Sequence, residues 1–141
     1  MHAFHRQYDS AVAYFRRVLA IDPQFPVHTE LGEVYLWMGA PLADARREIE
    51  TEAGSRPDNK GTLCQLYARL GDSISVRRFL SEARIPEDVA TCYLAVHDRA
   101  HALEALEAGP LSHLINLEKP FFDPVTSDRR FIALLSRLRA R

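Results

Sequence analysis

An all-α fold of stacked helix pairs is what this sequence predicts, and three observations carry the expectation. Ala11, Phe15 and Pro23 recur 34 residues later as Ala45, Ile49 and Pro57, which makes the unit of architecture a repeat. Tyr35, Tyr67 and Tyr93 occupy one slot in three successive helical segments. No run alternates apolar and polar residues next to a hairpin signal, so no sheet is expected.

Taken in order, Met1 to Arg6 is too short for a stable helix and reads as the tail of one. Asp9 or Ser10 is the expected cap of a helix running to about Ala20, with Ala11, Phe15, Val18 and Leu19 on one face. Pro23 and Pro26 stop it. The next pair spans Val27 to Met38 and Leu42 to about Ala53, joined by Gly39-Ala40-Pro41 with Pro41 suited to a helix start. A further pair covers Lys60 to Leu70 and Ser73 to Ala83, where Asp72 is placed to cap the second helix. The last pair runs from Pro86 to about Val96 and from Arg99 to Ala108, turning at His97-Asp98. Beyond Gly109 the pattern changes. A short helix is expected over Leu111 to Leu117, then an irregular connection through Pro120, Asp123-Pro124 and Thr126. Ser127 or Asp128 then caps a final helix in which Phe131, Leu134, Leu135 and Leu138 fall on one stripe.

Composition bounds the class. A chain of 141 residues with 47% hydrophobic content fits a single domain with a continuous core. Its 18 basic and 19 acidic residues leave a formal charge of -1, which argues against a surface built wholly for nucleic acid or anionic membrane. Cys64 and Cys92 sit inside apolar helical patterns and read as reduced, buried thiols, although a disulfide between them stays open. The N-terminus lacks a signal-peptide pattern and no 18-residue apolar run occurs. Together these suggest a soluble, cytoplasmic protein.

The repeat resembles the tetratricopeptide family, a helix-turn-helix unit with a W-x2-L-G-x2-Y, A-x3-F, P pattern. The second unit reads His28-x2-Leu31-Gly32-x2-Tyr35, then Ala45-x3-Ile49 and Pro57. The first keeps only its back half, Tyr8, Ala11-x3-Phe15 and Pro23. The third has Leu63-Cys64-x2-Tyr67 and Val76-x3-Leu80, and the fourth Val89-Ala90-x2-Tyr93 and Ala102-x3-Leu106. The departures are His28 in the Trp slot and a spacing that shrinks to 31 and then 26 residues from Ala45 to Val76 to Ala102. Leu117 to Phe131 is similar to the segment that closes tetratricopeptide arrays attached to bacterial signalling proteins. The resemblance implies a right-handed superhelix of about three and a half repeats, over 1–24, 25–56, 57–84 and 85–109, with a C-terminal cap over 110–141.

In that family the first helix of each unit lines a concave groove. By position this points to Thr29, Glu33, Leu36 and Trp37, to Gln65, Ala68 and Arg69, and to Glu87, Thr91 and Leu94 as a partner-binding groove. The implied function is a scaffold that binds a protein or peptide, as the sensory or docking part of a bacterial regulator, with Trp37 as an aromatic contact and Arg69 as a carboxylate contact. Chaperone-binding members hold a terminal carboxylate with Lys and Asn where this chain has Thr29, Glu33, Gly61 and Gln65, so that specificity is not expected. A second reading is a homo-oligomer through the N-terminal half-repeat, with Ala11, Phe15 and Val18 as the contact.

Sharper chemistry finds little to stand on. His97 and His101 are spaced as metal ligands with Asp98, Glu104 or Glu107 nearby, but His97 occupies the turn slot held by Gly39 and Gly71. Cys64 and Cys92 lie in packing positions rather than beside a histidine base. Arg129, Arg130, Arg137, Arg139 and Arg141 make the last helix basic, and its apolar stripe is read as docking on the repeats. We therefore expect no catalysis, cofactor, metal, nucleic acid or membrane.

Overall fold

Three turns between helices share one backbone geometry, and they set the register of the whole chain. The structure, a computed structural model, describes residues 7–109 and 117–140. Within them α1 spans Tyr8–Ile21, α2 His28–Met38, α3 Leu42–Thr51, α4 Lys60–Arg69, α5 Ser73–Glu82, α6 Pro86–Ala95 and α7 Arg99–Ala108. A 3-10 helix over Pro120–Val125 and α8 over Arg129–Arg139 follow. Among the described residues there is no strand. The turns closing α2, α4 and α6 place Gly39, Gly71 and His97 at φ of 75°, 78° and 63°. In each, the residue after the turn returns its N–H to a tyrosine carbonyl: Ala40 to Tyr35 at 3.0 Å, Asp72 to Tyr67 at 2.9 Å and Asp98 to Tyr93 at 2.9 Å. That bond satisfies carbonyls left over at a helix end.

His97 thus holds a left-handed conformation that glycine adopts freely and a side chain does not. We expect His97→Gly to raise stability by about 0.5 to 1 kcal/mol. The midpoint of urea unfolding reads this directly, and a lower midpoint would mean that the imidazole contributes contacts outweighing the strain.

The short turns fold α2 on α3, α4 on α5 and α6 on α7, while α4 also packs closely on α6. Asp72 and Asp98 cap the second helix of their pairs, accepting from Ser75 N at 3.0 Å and His101 N at 3.1 Å. Asp128 caps α8 from the Arg130 N–H. At α1 the cap differs from expectation: the helix starts at Tyr8, behind Gln7, with no side-chain cap, so Asp9 and Ser10 lie within it. The other ends fall within a residue or two of the expected ones, where terminal turns fray. The helix expected over Leu111 to Leu117 lies largely outside the described residues.

Apolar side chains gather in two clusters. Leu31, Val34, Leu36, Ala45, Ile49, Leu63, Leu66, Val76 and Phe79 form the first, between α1 and α5. Ala90, Leu94, Ala102, Leu103, Leu106, Phe122, Val125, Phe131 and Leu134 form the second, with Leu135 and Leu138 against its edge. The stripe of α8 therefore docks on α7 and the 3-10 helix, as its periodicity suggests. Gly32 marks a close approach in the first cluster, since a Cβ there would stand 2.4 Å from Ile49 Cγ1.

The cysteines correct an expectation. Cys64 on α4 and Cys92 on α6 are joined as a disulfide, with Cα atoms 5.0 Å apart and both residues 0% exposed. They had read as two separate reduced thiols. The α4–α6 packing brings their slots face to face, which spacing along the chain does not reveal. With the bridge closed, the cysteines no longer argue for a reducing compartment. Among the described residues no helix is long and apolar enough to cross a membrane.

The N-terminal helix also differs. Ala11 and Phe15, named as an oligomer contact in the second reading, pack with Leu19 against the first cluster through α2 and are half-buried. Val18 is half-buried beside them.

Candidate functional site

The faces of α2, α4 and α6 that line the expected groove do come together, but the chain's own C-terminal segment lies across them. Leu117 is buried in the second cluster, and the segment from Lys119 then crosses to the first. Lys119 Nζ reaches both carboxylate oxygens of Glu33 at 3.2 Å. Phe121 packs edge-on to Trp37, their rings 5.2 Å apart and inclined at 70°, while Phe122 turns the other way into the second cluster. Two depressions remain, one on each side of Phe121.

The first depression, about 560 Å³, is lined by Thr29, Glu30, Glu33, Arg56, Asp58, Gly61, Thr62, Ile85, Glu87, Asp88, Thr91, Lys119, Phe121 and Phe122. The second, about 430 Å³, includes Tyr8, Trp37, Gln65, Ala68, Arg69, Leu94, His97 and Asp123. All the expected groove residues line one or the other except Leu36, which is 3% exposed in the first cluster. Leu36 is the correction: one residue too far round α2, it faces the helix's own hydrophobic side.

Several groove residues already have partners. Glu33 is buried, accepts the Thr62 hydroxyl at 2.6 Å and pairs with Lys119. Burial pushes its carboxyl above the usual range, and the Lys119 ammonium and Thr62 hydroxyl oppose that rise. Arg69, expected as a carboxylate contact, donates to the Leu36 carbonyl at 2.7 Å near the C-terminal end of α2. Gln65 donates to the Thr91 carbonyl at 3.0 Å, and the Thr91 hydroxyl to the Glu87 carbonyl at 2.7 Å.

The N-termini of α2 and α4 at this face take their carboxylate partners from other helices, α2 from its own pair and α4 from the next. Val27 provides no side-chain cap for α2. Instead Glu52, at the end of α3, accepts the N–H and hydroxyl of Thr29 at 2.9 and 2.7 Å and the N–H of His28 at 3.2 Å. Arg56 completes the site, reaching Glu52 at 3.1 Å, Glu30 at 2.6 and 2.8 Å, and Asp58 at 2.9 and 3.1 Å. Burial would raise the Glu52 carboxyl, but the Thr29 and Arg56 bonds outweigh it and hold the group below its usual range. Those same carboxylates raise the Arg56 guanidinium, with Glu30 first and Asp58 next.

At α4 the equivalent partner is Asp88 on α6. Its Oδ1 accepts the Gly61 N–H at 3.3 Å, a contact that needs α4 and α6 very close. A Cβ on Gly61 would stand 2.7 Å from Thr91 Cβ, which accounts for glycine here. Asp88 Oδ2 is buried and accepts no hydrogen bond. Burial, together with the neighbouring charges of Asp58 and Glu87, pushes the Asp88 carboxyl up to about 6.

Other candidates resolve into local contacts. His101 Nδ1 sits 2.6 Å from Asp98 Oδ2, its ring stacked on Tyr93 at 5.2 Å, while His97 occupies the turn. Among the described residues no three His, Cys, Asp or Glu side chains stand close enough to hold a metal ion. His28, in the slot where the tetratricopeptide pattern has Trp, bonds Glu48 at 2.9 Å and the Pro23 carbonyl at 2.8 Å.

Arg56, Asp58, Asp88, Lys119 and Phe121 belong to the site and were not among the expected groove residues. Asp88 follows Glu87 behind Pro86 and reads as an ordinary first-turn acid of α6. Lys119 and Phe121 stand in a Pro-rich stretch without helical periodicity. Only spatial proximity reveals them. No protein-family model matches the chain, and no curated protein or solved structure matches it.

Proposed function

We propose that this chain is a tetratricopeptide-type helical scaffold, without catalytic activity, that binds a peptide or protein segment across the face of α2, α4 and α6. What supports the reading is the way that face already holds a non-repetitive segment. Lys119 pairs with Glu33, and Phe121 lies against Trp37, so an ion pair and an aromatic contact together seat a stretch of chain. A partner segment adds to the same face in the depressions that flank Phe121.

Selection from a displayed peptide library tests this. We expect ligands whose binding falls at least tenfold on Asp58→Ala or Ala68→Glu, one substitution in each depression, with the melting temperature unchanged. Selected ligands that ignore both substitutions would place binding elsewhere.

A second reading, self-association through α1, has its own observation. Ala11, Tyr14, Phe15, Val34 and Trp37 line an apolar depression, and Tyr14 is 56% exposed at its rim. Light scattering on the same preparations separates the two. A monomer mass at every concentration leaves only the peptide reading, and a dimer dissolved by Phe15→Glu establishes the contact through α1.

A further inference from the structure

We propose that the depression beside Asp88 is a subsite for a cationic side chain, and that the segment bound there presents an arginine. The proposal rests on the peptide-binding reading of this face and names what one part of it recognises.

Three of the carboxylates in the depression are matched by cations of the chain. Glu30 and Asp58 share Arg56, and Glu33 takes Lys119. Asp88 differs. It is 9% exposed, its Oδ1 has a single N–H at 3.3 Å, and its Oδ2 has none. A buried carboxylate oxygen without a donor is costly, and native structures rarely keep one.

The comparison with Glu52 shows what is missing. Glu52, at the end of α3 in the same pair, serves the N-terminus of α2 as Asp88 serves that of α4, and Arg56 stands beside Glu52 to balance the charge. Among the described residues no counterpart of Arg56 pairs with Asp88. Asp58 and Glu87 bring further negative charge to the same place, opposed by Lys119 and by the Gly61 N–H. An incoming cation therefore meets an acceptor already stripped of water, in a negative field.

The depression suits an organic cation, since among the described residues no three His, Cys, Asp or Glu side chains converge as metal ligands. Arginine fits better than lysine. Its planar fork of donors can serve Asp88 and a second carboxylate together, as Arg56 does nearby. A volume of about 560 Å³ accommodates such a side chain and its backbone.

Nuclear magnetic resonance titration with the capped pentapeptide Ac-GGRGG-amide, and with its citrulline analogue, is the test. We expect the arginine peptide to shift the Gly61 and Asp88 amides with millimolar affinity and the neutral citrulline peptide to bind at least tenfold more weakly. Asp88→Asn keeps an acceptor for Gly61, so the melting temperature should not fall, yet affinity should drop to the citrulline level. Affinity should also fall as pH drops through about 6, where Asp88 takes up its proton.

Equal affinity for the two peptides would overturn the cationic subsite while leaving the face as a peptide site. An Asp88→Asn variant that melts lower would make Asp88 a structural cap and overturn it as well. If neither peptide shifts any residue of α2, α4 or α6, and the library selection also fails, the peptide-binding reading falls with it.

Discussion

Reduction of the Cys64–Cys92 bridge is expected to lower the stability of the folded chain by about 3 to 4 kcal/mol. The bridge closes a sequence separation of 28 residues containing α5, so its loss returns that loop's freedom to the unfolded chain. Native packing changes less, because both sulfurs lie among buried side chains between α4 and α6. The corresponding fall in melting temperature is roughly 10 °C for a chain of this size. Thermal unfolding with and without a strong reductant measures it, with intact mass confirming that the oxidised chain lacks two hydrogen atoms. Coincident transitions would show that the bridge contributes nothing to stability. The effect also reaches the site, since the bridge holds α4 and α6 at the spacing that lets Asp88 reach Gly61.

The bridge illustrates which features can be read along the chain. Helices were legible because apolar residues recur at helical spacing and because Gly39, Gly71 and the prolines mark their ends. Even His97 was legible as a turn residue, from its place in the repeat alone, and its φ of 63° matches that of the glycines. Contacts between units were not. The approach of Cys64 to Cys92 and of Asp88 to Gly61 depends on how one helix pair rotates against the next. A periodic pattern marks which side of a helix is apolar but leaves that rotation open.

The site divides along the same line. Thr29, Glu33, Trp37, Gln65, Ala68, Arg69, Glu87, Thr91 and Leu94 line the two depressions because one helix face follows from one register. What covers part of that face was hidden, since Lys119 pairs with Glu33 across 86 residues and its neighbours show no period. The expected groove was therefore more open than the observed one. Arg56, beyond α3, was not singled out by the sequence pattern, yet it organises three carboxylates.

Replacing Glu52 by Ala is expected to destabilise the fold by about 3 to 5 kcal/mol, in the range for removing one partner of a buried charge network. Glu52 is 6% exposed and serves four donors: the N–H groups of His28 and Thr29, the Thr29 hydroxyl and Arg56. Without it, the backbone N–H groups of His28 and Thr29 lose their carboxylate acceptor, and buried donors are stranded. Arg56 fares better, because Glu30 and Asp58 still hold it. Glu52→Gln should cost less, about 1 to 3 kcal/mol, since its single carbonyl oxygen still accepts one bond while its amide faces donors. The pH dependence has a definite sign. The folded carboxyl lies below its usual value, so its contribution is fully present above the unfolded carboxylate range and is lost as pH falls through the folded value. Acid should therefore narrow the gap between the native chain and Glu52→Ala. Urea unfolding of both proteins at neutral pH and at progressively lower pH measures this, and a gap that stays constant into strong acid would show that the Glu52 charge is not what secures α2.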